Sequence, residues 1–426
     1  MRCKWRLFCA KKKYEALRYE EALELVQKVV KAQSRPALAL LRAGSCLRGL
    51  RRYDEAIDCY ERALQIVPNY GEAHAYLSLV LVDLGRNHEA LESINRAIRI
   101  KPSLVKSEFW LHHFAYVRGT VNQWNESLAE YTSLTELNEQ HVDGWRGVGW
   151  ANSQLNRHSE ALAAYVRAAK LMPANADVQS DLGATYLNLG QMKEGLEHLQ
   201  RAKELQPANA LRHYNLCQAY CDLGNFDSAL ASILEALTLD PKLEDGNLLL
   251  GFVYSQLGRY EDAARAIEAG IRSEPDNAEL YGALAQYCQE SGKMSEASAA
   301  AKRAVWLKSD SAKAFLTLGW VLQNQGNFAE AIAAHKRSLE LDPKQVEPYG
   351  NLGEIYMELG RNEDALSALR SAVEIEPMDP KLHFDLGEVY IRLSKREEAL
   401  HELQTLEKLR DPLAEDLAKR MKSGFA

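Results

Sequence analysis

Between Glu244 and Asn277 the apolar and small residues fall into two helical patterns separated by a glycine. Leu250, Gly251 and Tyr254 share one face of the first pattern; Ala263, Ile267 and Gly270 share one face of the second. Both have the three- and four-residue spacing of an amphipathic α-helix. Gly258 stands between them and ends the first helix, because only glycine takes positive φ without a side-chain penalty. Pro275 ends the second, since it lacks the amide hydrogen that a continuing helix needs. Asn277 is placed to cap the next helix. The pattern predicts a helix hairpin.

The same frame slides along the chain. Eight of the twelve prolines (Pro68, Pro102, Pro173, Pro207, Pro241, Pro275, Pro343 and Pro377) are 34 or 68 residues apart, or once 71. The eighth column holds only small residues: Gly44, Ser78, Ala115, Gly149, Gly183, Cys217, Gly251, Ala285, Gly319, Gly353 and Gly387. The twentieth does the same with Ala56, Ala90, Ser127, Ala161, Gly195, Ala229, Ala263, Ala297, Ala331, Ala365 and Ala399. Two helices approach closely only where neither offers bulk, so these columns mark the contact inside each hairpin. Leu182, Leu216, Leu250, Leu284, Leu318, Leu352 and Leu386 fill the seam beside it. A period this regular predicts a solenoid in which each hairpin meets only its neighbours.

These residues resemble the tetratricopeptide repeat pattern: an aromatic at position 4, Leu-Gly at 7–8, Tyr at 11, Gly at 15, Ala at 20, an aromatic at 24, Ala at 27 and Pro at 32. Trp145, Tyr281, Phe315 and Tyr349 match at position 4; Tyr186, Tyr220, Tyr254, Tyr356 and Tyr390 at 11; Tyr60, Tyr131 and Tyr165 at 24. About twelve repeats are covered, from residue 3 to residue 413. The resemblance implies an all-α, right-handed superhelical solenoid of helix-turn-helix repeats. It is specific for fold and nearly silent on activity.

Departures from the pattern suggest boundaries. The repeat from Glu108 to His141 has Asn122, Ser127, Leu134 and Glu139 where Gly, Ala, Ala and Pro are usual. Three extra residues precede it, which makes Ser103–Ser107 the expected weakest junction. The first repeat is degenerate, with Arg6, Cys9 and Lys13 in core columns of its first helix. Leu413, Leu417 and Met421 recur every four residues on a charged segment, as a terminal capping helix requires. The expected division is 1–107 for repeats one to three, 108–411 for repeats four to twelve, and 412–426 for the cap.

Composition changes this picture little. Apolar residues at 46% suffice for a core, and no apolar run is long enough for a membrane-spanning helix. The net charge of −7 hides a basic start: residues 1–107 carry 20 basic against 12 acidic side chains, and the remainder is acidic. Seven cysteines form no regular framework, which fits a reducing, cytoplasmic setting. Cys217 and Cys221, one helical turn apart, have no second pair nearby to complete a metal site. The basic N-terminus, with Trp5, Phe8 and Cys9 at helical spacing, reads as an imperfect terminal repeat or a short membrane-surface contact rather than a signal peptide.

No chemistry of catalysis is legible. The chain lacks a phosphate-binding GxxxxGK[ST] loop, HExxH and GxSxG. His112 and His113 point about 100° apart on a helix and cannot easily share a metal. The repeats end near Leu413, so no separate catalytic domain is expected, and no catalytic, cofactor or metal site is assigned.

The resemblance implies instead that positions 2, 5, 9 and 12 of each first helix line a groove. Position 9 reads Ser45, Leu79, Tyr116, Trp150, Ala184, Gln218, Phe252, Gln286, Trp320, Glu354 and Glu388, with Tyr214 and Phe384 at position 5. Trp and Tyr are enriched in binding hot spots. The expected peptide-binding residues are therefore Tyr116, Trp150, Tyr214, Phe252, Trp320, Glu354, Phe384 and Glu388. If Trp150, Phe252 and Trp320 face a groove, all three can be removed at little cost to stability. Glu279, Glu290, Glu347, Glu354, Glu358 and Glu388 against Lys313, Lys381 and Arg392 favour a ligand with apolar anchors and some positive charge. Nucleic acid is not expected, for want of a basic stripe. Position 5 does not reproduce the Lys/Asn/Arg carboxylate clamp of chaperone-binding relatives. Asn215 and Asn351 alone represent the asparagine ladder of sugar-transferase relatives. The expected function is a non-enzymatic scaffold binding a protein or peptide; the alternative is a substrate-recognition arm for a separate enzyme such as a glycosyltransferase.

Overall fold

The computed structural model describes residues 2–32 and 35–425, with side chains from residue 9 onward. The side chains of Trp5, Phe8 and Arg6 lie outside the described residues, so the N-terminal contact surface does too. Among the described residues there are 25 α-helices, one 3-10 turn and no strand. The chain forms two compact units, Met1–Pro207 and Ala208–Ala426.

The first unit holds α1 (Arg2–Glu15), α2 (Tyr19–Lys31), α3 (Pro36–Gly49), α4 (Tyr53–Ile66), α5 (Gly71–Asp83), α6 (Asn87–Ile100), α7 (Glu108–Thr120), α8 (Trp124–Leu137), α9 (Val142–Gln154), α10 (His158–Leu171), α11 (Ala176–Asn188) and α12 (Met192–Leu205). The second holds α13 (Ala210–Asp222), α14 (Phe226–Leu239), α15 (Gly246–Gln256), α16 (Tyr260–Ser273), α17 (Ala278–Glu290), α18 (Met294–Leu307), α19 (Ala312–Asn324), α20 (Phe328–Leu341), α21 (Glu347–Glu358), α22 (Asn362–Ile375), α23 (Pro380–Arg392), α24 (Arg396–Leu409) and α25 (Leu413–Gly424). Up to α24, each odd-numbered A helix packs on the even-numbered B helix after it.

Every hairpin turns the same way. At repeat position 15 seven glycines, Gly258 among them, take φ between 68° and 79°. In the other five repeats Leu17, Arg51, Asn122, Asn156 and Ser394 adopt the same left-handed region, φ 57° to 62°, although none is glycine. The following amide closes the cap in both cases: Arg259 N–H donates to Tyr254 O (2.9 Å), and Lys395 N–H to Tyr390 O (2.8 Å). Asn277 caps α17 as its sequence suggests, accepting from Glu279 N–H at 3.0 Å.

The small columns lie inside the hairpins. A Cβ added at Gly44, Gly149 or Gly353 would sit 2.6 Å from the position-24 side chain of its own B helix, namely Tyr60, Tyr165 or Leu369. The position-20 alanines are fully buried opposite. Leu182, Leu216, Leu250, Leu352 and Leu386 are buried in the seam, while Leu284 and Leu318 are half-buried. Replacing a fully buried seam residue such as Ile267 by Ala would cost about 2–5 kcal/mol.

The departures are accommodated. The segment expected as the weakest junction winds into a 3-10 turn, Pro102–Lys106, that places Leu104 in the core beside Phe114. Ser127 is buried and donates to Ala115 O at 2.7 Å, and Leu134 is fully buried. Lys13, in a core column by sequence, is half-buried and paired with Glu21. At the C-terminal end α25 lays Leu417 against Gly387, fully buried, and turns Glu415, Asp416 and Lys419 to solvent. It is a capping helix.

Candidate functional site

In the first unit a cavity of about 480 Å³ opens on the A-helix face of α7, α9 and α11. Its wall contains the predicted residues Tyr116 and Trp150, with ring centroids 6.2 Å apart and planes 26° from parallel. Tyr116 is 42% exposed. Trp150 is half-buried, because Trp124 meets it edge-on at 4.8 Å. Its ring also occupies the space a Cβ on Gly119 would need, 2.5 Å away. Trp150 is therefore part of the packing between α7, α8 and α9 as well as part of the wall.

The floor exists because position 6 of this repeat is glycine. The Tyr131 ring rests against Gly147, where an added Cβ would be only 2.3 Å away. His112 sits 5.8 Å from Tyr131 edge-on, and 6.0 Å from the His141 ring. Burial lowers the His112 pKa, with His141 and Arg146 adding to the effect and Asp143 opposing it. His113 points elsewhere, into the core, with Nε2 2.9 Å from Ser78 Oγ. Burial likewise pushes up the phenols of Tyr131 and Tyr165, so both remain neutral in the wall. Arg146 enters from α9 and donates through Nε to Asp181 Oδ2 at 2.7 Å, with Asp177 3.6 Å away. Burial works against its charge, but Asp181, with Asp177 and Asp143, outweighs it and holds the guanidinium above its usual value.

A second cavity of about 410 Å³ lies on the A-helix face of α15, α17 and α19 in the second unit. Phe252 is 41% exposed at its edge and meets Phe226 edge-on at 6.5 Å. Gln286 and the Lys313–Glu279 pair, 3.3 Å apart, complete its polar side. Of the other predicted residues, Tyr214 and Trp320 are half-buried against neighbouring core side chains. Of Trp150, Phe252 and Trp320, expected to be removable together at little cost, Phe252 is exposed and the two tryptophans are half-buried.

The two acidic residues predicted for the peptide site, Glu354 and Glu388, are already engaged within the chain. Glu354 pairs with Lys381 and accepts from Gln323 at 3.2 Å. Glu388 pairs with Arg420 of the capping helix, whose guanidinium also lies 4.9 Å above the Phe384 ring. Asp385, buried between these pairs, is pushed up to about 6 by desolvation, with Lys381 opposing. Sequence reasoning missed His141, Trp124, Arg146 and Asp181; the glycine at position 147 was the available signal. No group of three or more His, Cys, Asp or Glu among the described residues is arranged to hold a metal ion. Cys217 and Cys221 hydrogen-bond each other, which raises the first thiol and lowers the second.

Family models described as tetratricopeptide repeat match residues 35–102, 180–244, 224–287 and 322–383, and one described as TPR repeat matches residues 149–190. The chain belongs to the tetratricopeptide repeat family. Proteins of this family are in general protein-interaction scaffolds. No curated protein matches this chain. Similar solved structures include a chain of the APC/C hetero-tetramer Cut9-Hcn1, 15% identical, covering 99% of this chain and 96% of that one at a TM-score of 0.47. Yeast Tom70 is 12% identical, with 99% of each chain covered and a TM-score of 0.48. The MamA protein is 24% identical over 40% of this chain and 94% of its own, at a TM-score of 0.36. No helix of this tetratricopeptide repeat protein, among the described residues, is long and apolar enough to cross a membrane.

Proposed function

We propose that this protein is a non-enzymatic scaffold that binds an extended or helical segment of a protein partner on its A-helix faces. One observation carries the reading. In each compact unit an aromatic ring at position 9 stands about two-fifths exposed at the edge of a cavity, Tyr116 in the first and Phe252 in the second. Large exposed rings beside polar groups are the composition of binding hot spots. Binding would be an equilibrium, with the rings supplying affinity and the flanking charges selectivity.

The test compares wild type with the double variant Tyr116→Ala and Phe252→Ala in affinity capture from native lysate. Capture of the partner should fall roughly tenfold or more, while far-ultraviolet circular dichroism stays unchanged. Unchanged capture would place the binding surface elsewhere.

A further inference from the structure

We propose that the cavity of the first unit receives a single cationic side chain, lysine or arginine, from a protein partner. The inference rests on the scaffold reading and names what its aromatic site selects.

Four features of the cavity converge on a cation. Rings of Tyr116, Tyr131, Trp150 and Tyr165 surround the space, and aromatic faces attract positive charge through their quadrupoles. Asp143 stands exposed at its edge, and its carboxylate makes no ion pair or hydrogen bond with any described residue. The one cation already present, Arg146, has its guanidinium engaged by Asp181 and Asp177. It shows that this wall accommodates a guanidinium, and its charge is already offset by two carboxylates. His112 adds no opposing charge at neutral pH, because burial lowers its pKa.

Other occupants fit less well. An acidic side chain would approach Asp143 and Asp181 with no unengaged cation to meet it. An apolar side chain would fill the rings but leave Asp143 facing it unpaired, a cost without return. A cation on a long aliphatic stem satisfies both, since the stem lies on the rings while the charged head reaches the carboxylate. Gly147 lets the Tyr131 ring form the floor beneath it, where a side chain at that position would displace the ring.

The experiment sorts a randomised library of short capped peptides on the whole 426-residue chain and on its Tyr116→Ala, Asp143→Asn and Phe252→Ala variants. Peptides whose selection requires Tyr116 should be enriched in Arg or Lys at one position. Asp143→Asn should lose that enrichment, whereas Phe252→Ala should keep it. Replacing the selected Arg by citrulline, which preserves shape and removes charge, should weaken binding roughly tenfold. Equal binding of the citrulline peptide, enrichment of acidic or purely apolar residues, or enrichment that survives Asp143→Asn would overturn the cationic reading and leave the groove reading standing. Selection of no peptide that depends on Tyr116 or Phe252 would overturn both.

Discussion

His383 and Glu402 face each other inside the second unit, with Nδ1 2.6 Å from Oε2 and neither side chain more than 10% exposed. The other ring nitrogen, Nε2, lies 3.0 Å from Pro377 O, so the ring bridges the Glu402 carboxyl group and a backbone carbonyl. The same clip recurs in the first unit with different residues. Gln179 Nε2 donates to Pro173 O at 3.0 Å, and its Oε1 lies 2.7 Å from His198 Nδ1. Trp145 Nε1 does half of this, donating to Glu139 O at 2.9 Å. A donor at repeat position 4 thus serves a carbonyl left without a helical partner after the preceding B helix.

His383→Leu should leave Glu402 Oε2 buried without its partner, with only His401 3.5 Å from Oε1, and destabilise α23 and α24 by up to about 3–5 kcal/mol. His383→Gln should lose less, since its Nε2 can still donate to Pro377 O as Gln179 does to Pro173 O, although its Oε1 would face the Glu402 carboxylate. Hydrogen exchange of the α23 and α24 amides reports the local free energy. Equal losses in the two variants would show that the clip is incidental.

Five hairpins hold a left-handed residue that is not glycine, at a cost of about 1 kcal/mol each. Ser394→Gly and Arg51→Gly should raise the stability of their hairpins by up to that amount, and Gly258→Ala should lower it similarly. Urea titrations followed by exchange in the flanking helices would show the sign. Destabilisation by Ser394→Gly would mean that its side chain, not its backbone, matters.

His335 is fully buried beneath Gly319, and neither ring nitrogen has a partner among the described residues. Burial lowers its pKa to about 4, with Glu354 opposing. Its ordinary value is about 6.5, so between those values the unfolded chain takes up a proton that the folded chain refuses. Its contribution is therefore complete above about pH 6.5 and is lost as pH falls toward 4, by up to about 3 kcal/mol. Leu199 and Leu369 fill the equivalent place in other repeats. His335→Leu should flatten this part of the acid limb when exchange of α19 and α20 is followed from pH 7 to 4.5. Parallel pH slopes for variant and wild type would refute it.

Trp150 and Tyr116 share a cavity but not a role. Trp150→Ala empties the space over Gly119 and beside Trp124 and should destabilise α7 and α9 by about 2–4 kcal/mol. Tyr116→Ala should cost about 1 kcal/mol or less, as its ring is largely at the surface. Exchange protection of α7 and α9 in the two single variants separates packing from binding. Full protection in Trp150→Ala would return that ring to the binding face alone.

The hairpins, their ends and their contact columns were all legible in one dimension, from Gly258 and Pro275 to Ala263 and Leu250. The reason is physical: helical periodicity, the left-handed preference of glycine and the missing amide of proline are local properties, and a 34-residue repeat states them many times over. The partners of individual polar and aromatic side chains were not legible. Nothing adjacent to Glu388 says that Arg420 will reach it, nor does anything near Trp150 say that Gly119 will leave room for its ring. Likewise Leu17 and Arg51 turn left-handed because the helices on either side must pack, overriding their own preference. Those outcomes depend on residues brought together only once the hairpins have stacked, so the tertiary structure alone decided which face of the repeat was occupied and which remained open.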